Sequence, residues 1–520
     1  MRSAHSPNPG QLRRSLSSSA YVSSSRKLED EESRSTPALV FAGEDAWKVN
    51  AKNWPRLGVL HASPLCVSQR GAMHYLPQLD VEGDKEALKR QLQSIDANLL
   101  VRMERGTKEE LQNLLQSPGG CVALHMSCHG IDDPQRGFCL VFEDGDKEGR
   151  GLLIRRHDIQ EIFDIGPKPQ VVVAMACHSG GCADVFVNVG VPHVVAITQA
   201  WTVMDTSAIK FSAHFWRYLA EGATVEQAFR CAQQVINDAF EKRKFELTGA
   251  SEKHDEQIFF PPGANQTGRP QLEVPNPIPT NTLQVYHGAF VGRKHEQFLL
   301  IDQLMSMRSQ RGSNIHILKG PADVGKSVLA RAVAEYGRVR GFFGGLCLAD
   351  FSENRYDRLS GALQEVADAL DRARAGAVFK QSIHTYSREP SSQPSQLRLR
   401  APSRRGMRPN PRSLLRWEST KDGEESNRER IFESMEWISS LQEPLLVVLD
   451  SLEYLDEVTQ RGLLKVIKQL DSYAQGRILF LLMTSDSLVE IEEFVSKTIV
   501  LEQMKEDDAV DLLMQKVWLH

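Results

Sequence analysis

Residues 171–181 read VVVAMACHSGG. The apolar run through Ala176 has strand length and no polar alternation. That pattern predicts a strand buried on both faces, as in a parallel sheet covered by helices. It stops at Cys177-His178-Ser179-Gly180, small and polar residues that suit a tight exit from the sheet. A plain core strand ending in a turn would account for the run. A cysteine delivered to the carboxyl edge of a parallel sheet, where ligands and catalytic groups gather, also fits a presented nucleophile.

The surrounding chain supports the second reading. Apolar runs at 56–66 (RLGVLHASPLC), 98–103 (NLLVRM), 121–130 (CVALHMSCHG) and 193–198 (HVVAIT) read as further strands. Between them lie helical periods. One, near 84–95, puts Leu88, Leu92 and Ile95 on one face. Another opens at Thr107 and Glu110, with capping-box spacing. Asp205 is expected to cap a helix burying Ile209, Phe215 and Leu219 and stopping near Gly222, and Thr224 with Gln227 opens one more. Alternating strands and helices predict an α/β fold with a parallel sheet and helices on both faces.

His129 ends the strand before the 171–176 strand, 48 residues upstream of Cys177. Neighbouring parallel strands end on one edge, so the two side chains can meet there. A cysteine thiol is mostly protonated at neutral pH, and a nearby imidazole can take or stabilise its proton. Gly130 allows close backbone approach to a substrate, and its N–H together with that of Cys177 can hold an oxyanion.

The pieces LHASPL, ALHMSCHG, MACHSGG, NVGVPHVVAI, VMDTSAIKFSAHFWRYL and EGATVEQAF, in that order over residues 56–240, resemble the CHAT domain, a caspase- and separase-related peptidase-like family. The resemblance implies a caspase-like parallel-sheet sandwich with His129 as general base and Cys177 as nucleophile. Relatives often have Gly where Cys128 stands. In related peptidases the residue two before the nucleophile helps line the pocket for the P1 side chain, and here it is Met175. No preference for Arg or Lys at P1 is expected from that position unless Asp132, Asp133 or Asp205 reaches the pocket. His125, His178 and Cys182 are expected to be structural.

A second unit follows. Residues 314–336, NIHILKGPADVGKSVLARAVAEY, hold Gly320-x4-Gly325-Lys326-Ser327 between an apolar strand and a helix, the context of a phosphate-binding loop. Backbone N–H groups at the helix start wrap phosphates, Lys326 reaches the β- and γ-phosphates, and Ser327 joins Mg²⁺. PLLVVLD (444–450) ends in Asp450, placed to hold Mg²⁺ through water. Glu453 follows later than a strong hydrolase motif would place it. RILFLLMTSD (477–486) reads as a sensor strand with Ser485 near the γ-phosphate. Together with FVGRKHE (290–296) and GGLCLADF (344–351), residues 288–520 resemble the STAND class of P-loop NTPases, related to NB-ARC and NACHT modules. The resemblance implies ATP with Mg²⁺ as cofactor and Arg293 near the nucleotide. Asp486 stands where that class often has a sensor arginine, which points to slow hydrolysis.

The chain of 520 residues is 41% hydrophobic and 25% charged, with net charge −5, so a nucleic-acid partner is not expected from the whole molecule. Scattered cysteines without a CxxC pair argue against zinc or a disulfide framework and for a reducing, cytoplasmic setting. No run approaches the ~18 apolar residues of a membrane span. Residues 1–45 are expected to be a disordered Ser/Arg-rich tail, 46–260 the first domain, 261–284 a proline-rich linker, and 285–520 the NTPase domain, with a disordered insert at about 383–428. The combined expectation is an ATP-binding switch controlling a Cys–His protease effector in signalling, with a protein substrate or signalling partner and nucleotide-dependent self-association. The alternatives are a catalytically silent scaffold and a nucleic-acid regulator using the Arg-rich insert, within which 388–416 carries eight Arg and one acid.

Overall fold

A computed structural model describes residues 55–518 apart from 118–119, 134–135, 252, 260–269, 274–289, 307–313, 353–357, 387–421 and 486–496. The expected tail, most of the linker, most of the insert and Asp486 lie outside the described residues.

The molecule is mixed α/β, and its described residues form three sheets. The first has the order β11-β10-β9-β5-β1-β4-β12. Its strands are β1 (Arg56–His61), β4 (Leu100–Arg105), β5 (Ala123–Ser127), β9 (Val171–Met175), β10 (His193–Ile197), β11 (Phe245–Thr248) and β12 (Gln271–Glu273). All pairings are parallel except that of β10 with β11.

The alternation of side chains along each strand builds two cores. Val171, Val173 and Met175 of β9 pack with Leu88 and Leu92 of α1 (Val81–Gln93), with Phe211, Phe215 and Trp216 of α5 (Asp205–Ala220), and with Ala228 of α6 (Val225–Gln234). Val172, Ala174 and Ala176 face Leu111 and Leu114 of α2 (Lys108–Gln116), Ile159 and Phe163 of α3 (Arg156–Asp164), and Phe186 of α4 (Gly180–Asn188). Burial on both faces is why the strands read as unbroken apolar runs.

Three features differ from the sequence reading. The run 121–130 is two strands. β5 stops at Ser127, and β6 (His129–Asp133) belongs to a second sheet of order β3-β2-β8-β7-β6. That sheet contains β2 (Cys66–Gln69), β3 (Ala72–Tyr75), β7 (Gly137–Glu143) and β8 (Arg150–Arg155). Asp205 does not cap α5; its carboxylate accepts the Asp80 N–H at 2.7 Å, and the capping position belongs to Met204. Within the stretch expected to be a linker, β12 pairs with β4 as an edge strand.

The third sheet has the order β14-β15-β16-β13-β17, all parallel. It comprises β13 (Ile315–Lys319), β14 (Gly345–Asp350), β15 (Leu445–Asp450), β16 (Ile478–Thr484) and β17 (Lys497–Val500). The four-residue α7 (Ala239–Lys242) precedes it in the chain, and its own helices include α8 (Lys294–Ser306) and α9 (Lys326–Val339).

Leu65 and Cys66 of the first half share an apolar cluster with Phe298, Leu300 and Ile301 of α8. Beside it the Arg340 guanidinium, just past α9, donates to the Glu143 carboxylate at 2.9 Å and to the Ser63 carbonyl at 2.6 Å. Both charged groups are buried, so the two halves meet through a shared core and a paired charge.

Candidate functional site

The Cys177 turn is fixed by Ser179. Its buried hydroxyl donates to the Ala174 carbonyl at 2.8 Å and accepts the Ile197 N–H at 2.7 Å, tying the ends of β9 and β10 together. His178 takes a left-handed conformation, φ 61°, and its Nδ1 lies 2.6 Å from the Gln199 carbonyl. Cys177 is half-buried; of the eight cysteines only it and Cys231 escape full burial. Burial pushes the Cys128 thiol up to about 12 and the Cys182 thiol well above its ordinary value.

β5 and β9 are neighbours, with Ser127 opposite Met175, and the Cys128 N–H donates to the Met175 carbonyl at 3.2 Å. His129 and Cys177 therefore leave the sheet side by side. Gly130 is pressed against the turn: a Cβ there would lie 1.9 Å from the Cys177 carbonyl oxygen, so no other residue fits without a backbone shift. The Cys177 N–H meets no acceptor among the described residues.

The His129 ring does not bond to the thiol. Its Nε2 lies 2.8 Å from the Pro77 carbonyl oxygen. A carbonyl only accepts, so Nε2 carries the proton and Nδ1 is the basic nitrogen. Burial pushes the imidazole below its ordinary value, the Pro77 bond opposes this, and the Lys294 charge adds to the depression. A backbone carbonyl leaves no mark in sequence, so Pro77 could not be read in advance.

Met175 is packed in the core beneath this edge. Of the acids considered for a P1 pocket, Asp133 accepts the Arg136 N–H at 3.0 Å, Asp205 is bound to Asp80, and Asp132 is exposed on β6.

A buried cluster was not foreseen. His61 Nε2 and His125 Nε2 lie 3.2 and 3.5 Å from Asp84 Oδ2. Burial pushes the Asp84 carboxyl up, but the two imidazoles override it and hold it well below the usual range. Three donors converge as for a metal, yet neither Nδ1 has a partner among the described residues. A metal-bound histidine almost always donates that second N–H. The arrangement is better suited to a structural clamp, one carboxylate set between two buried imidazoles, that joins β1, β5 and α1, with burial pushing His61 below its ordinary value.

In the other half, Gly325 at φ 98° turns the chain from the loop after β13 into α9, which starts at Lys326. The unpaired N–H groups of a helix start suit phosphate. Lys326 Nζ donates to the Gly320 and Pro321 carbonyls, each at 2.9 Å. Ser327 bonds Asp450, whose carboxyl is pushed up by burial, eased by Ser327, and pushed further by Asp350 and Glu453. This surplus of carboxylates beside a hydroxyl suits a divalent cation.

Glu453 comes closer than its spacing suggested. Ser451 in a left-handed conformation starts a 3-10 turn, Leu452–Tyr454, and Glu453 Oε1 lies 4.0 Å from Lys326 Nζ. Ser485 follows β16, whose Thr484 carbonyl accepts the Gly320 N–H at 3.2 Å. Arg293, at φ 54°, donates to the Val324 carbonyl at 3.4 Å and the Glu502 carbonyl at 2.5 Å.

A cysteine and a histidine at adjacent strand ends, followed by a phosphate-loop sheet, define a two-part α/β protein. Family models match both parts: the CHAT domain over residues 8–267 and an AAA ATPase domain over residues 289–481. The chain belongs to the CHAT-domain family. No curated protein sequence matches it. Among solved structures, the ORC2 protein of Aeropyrum pernix is 15% identical, with 46% of this chain and 54% of that one covered at a TM-score of 0.29. The Walker-type ATPase paby2304 of Pyrococcus abyssi is 16% identical, with 44% and 59% covered at 0.28. PCH-2 of C. elegans is 11% identical, with 63% and 76% covered at 0.26. The chain thus spans little more than half of the first two. No helix among the described residues is long and apolar enough to cross a membrane.

Proposed function

We propose that the chain is a caspase-like cysteine endopeptidase controlled by a STAND-type ATP-binding switch, acting in cytoplasmic signalling on a protein substrate. The observation that carries this reading is the juxtaposition at the sheet edge: Gly130 packs on the Cys177 carbonyl, and His129 leaves the adjacent strand with its Nε2 committed to Pro77. In the reaction Cys177 Sγ attacks the scissile carbonyl carbon and its proton passes to His129 Nδ1. The Gly130 and Cys177 N–H groups hold the oxyanion. The imidazolium returns the proton to the leaving amine, and water then releases the acyl group from sulfur.

Gly320, Gly325, Lys326 and Ser327 would hold the phosphates of ATP, with Ser327 and Asp450 on Mg²⁺ and Arg293 and Ser485 at its margin. Bound Mg-ATP supplies differential affinity between two states of the switch, and self-association follows nucleotide state. Glu453 is engaged with Lys326, which fits slow turnover. With Met175 buried and Asp133 and Asp205 already engaged, no strong preference for a basic P1 residue is expected.

One observation favours a second reading, a silent docking scaffold: among the described residues His129 bonds Pro77 and not Cys177. Peptide-library profiling of the full chain against Cys177→Ala, with and without Mg-ATP, separates the two. Cleavage by wild type alone supports the peptidase; equal cleavage by both removes Cys177 as nucleophile; and no cleavage under any nucleotide condition leaves the scaffold.

A further inference from the structure

The group that orients His129 is anchored on the ATPase half. Pro77 lies two residues past Tyr75, the last residue of β3. The Tyr75 hydroxyl meets His295 Nδ1 at 2.5 Å, and the two rings stack edge to face with centroids 5.6 Å apart. His295 is on the first turn of α8, two residues after Arg293, whose guanidinium pairs with Glu296 at 2.9 Å and the Glu502 carbonyl at 2.5 Å and reaches the phosphate loop through a longer bond, 3.4 Å, to the Val324 carbonyl. Between them, Lys294 is close enough for its charge to depress the His129 imidazole. Covalent geometry ties these residues closely, since consecutive Cα atoms are about 3.8 Å apart.

A second tether ends on the same loop. Arg340, just past the C-terminus of the phosphate-loop helix α9, donates to the Ser63 carbonyl at 2.6 Å. The Ser63 hydroxyl accepts the Leu79 N–H at 2.9 Å. Arg338 adds a 3.9 Å ion pair to Glu82. Residues 76–82, which carry the Pro77 carbonyl, are therefore held from both ends of the ATPase half. One hold is beside the start of the phosphate loop through Arg293, and the other lies beyond the far end of its helix.

We propose that Tyr75 and His295 are positioning residues for His129, and that through them the occupancy of the phosphate cradle sets where the Pro77 carbonyl holds the imidazole. The inference rests on the Cys177–His129 peptidase reading and adds its regulation. A phosphate in the cradle competes with Val324 for Arg293. Any turn of the 293–295 segment then pulls on Tyr75 and moves Pro77. The imidazole follows because its Nε2–H bond to Pro77 fixes the ring. A ligand that binds one arrangement of these contacts better than another selects it.

The test measures Cys177 alkylation by iodoacetamide across pH in the full chain, with and without Mg-ATP, alongside binding of a fluorescent ATP analogue. In the wild type Mg-ATP should change the alkylation rate by about 5–150-fold, the usual size of coupling between sites. Tyr75→Phe keeps the ring against Phe298 and loses only the hydroxyl; it should reduce the response below about fivefold while the analogue still binds. His295→Gln should do the same from the other side. Alkylated wild type should bind the analogue with a changed affinity, and alkylated Tyr75→Phe should not; the size need not equal the rate effect, because reciprocity holds for binding free energies and not for rates. A purely structural role would not produce that matched loss. If His129→Ala leaves the pH profile of alkylation unchanged, the dyad and the coupling fall together. If His129→Ala changes it but Tyr75→Phe keeps the wild-type response, the coupling alone is overturned. A wild type that binds the analogue without any change in alkylation also overturns it.

Discussion

The cysteine edge and the phosphate cradle are built in opposite ways. The cradle is local: one strand, one loop and one helix start, residues 315–327, with a carboxylate from β15. The cysteine edge is dispersed. It needs β9 for Cys177, a change of sheet at Cys128 for His129, a carbonyl from the loop after β3, and cations from the other half. A local site survives as long as its own loop folds. A dispersed one inherits the stability of everything that holds its parts.

That contrast is sharpest in the chemistry. Cys177→Ala should abolish peptide cleavage, and His129→Ala should lower it by about 10²–10⁴, the usual worth of a positioned base, with nucleotide binding intact in both. Because His129 is depressed, the base is still neutral somewhat below pH 6.5, and the acid limb of the cleavage profile should lie below that value. An acid limb above 6.5 would mean another group controls it.

Next in size is the tie between the halves. Arg340→Ala takes the nearest cation from the buried Glu143 carboxylate, which keeps only the Ser63 N–H at 3.1 Å and Arg105 at 3.9 Å, a change worth up to about 3–5 kcal/mol. It should lower the unfolding transition and reduce cleavage before it weakens nucleotide binding. Equal loss of both functions would erase the distinction between local and dispersed sites.

Acid acts on the cradle half through His316, alongside depressed histidines of the first half such as His61 and His193. His316 on β13 is fully buried, its ring nitrogens have no partner among the described residues, and burial with the Lys497 charge pushes it from 6.5 to about 4. The folded state resists its protonation, so its contribution is complete above pH 6.5 and is lost as pH falls toward 4. The loss amounts to about 3 kcal/mol, read as a pH-dependent shift in urea midpoint that His316→Leu flattens. The smallest effect concerns Lys326. Mg-ATP at about 100 times Kd should add about 2.7 kcal/mol of stability, and Lys326→Ala should remove most of it in a thermal scan. Because the halves share a core, the shift should reach the first half too.

Legibility in the sequence followed the same divide. β1, β9 and β10 were readable because two-sided burial writes a nearly unbroken apolar run, and β4 was readable through Leu99, Leu100, Val101 and Met103 despite Arg102. The phosphate loop was readable because its glycines, lysine and serine are adjacent. The split at Cys128 was not, since His129 and Gly130 follow the apolar β5 without a break and only the change of pairing partner shows that they open a separate, polar strand. The approach of Glu453 to Lys326 depends on a left-handed serine that no spacing rule anticipates. Pro77 acts through its backbone, and the Asp84 clamp joins residues whose types are common in cores for other reasons.

The Arg340–Glu143 pair also has a consequence for synthesis. The partners are 197 residues apart in the chain. At 5–20 residues per second, Glu143 emerges from the ribosome about 10–40 s before its cation exists. Throughout that interval the nascent first half carries a carboxylate that lacks its closest cation, with only Arg105 and the Ser63 N–H near it, beside uncovered Leu65 and Cys66, a surface that invites chaperones. A chain truncated before Arg340 should stay soluble only while such a chaperone holds it.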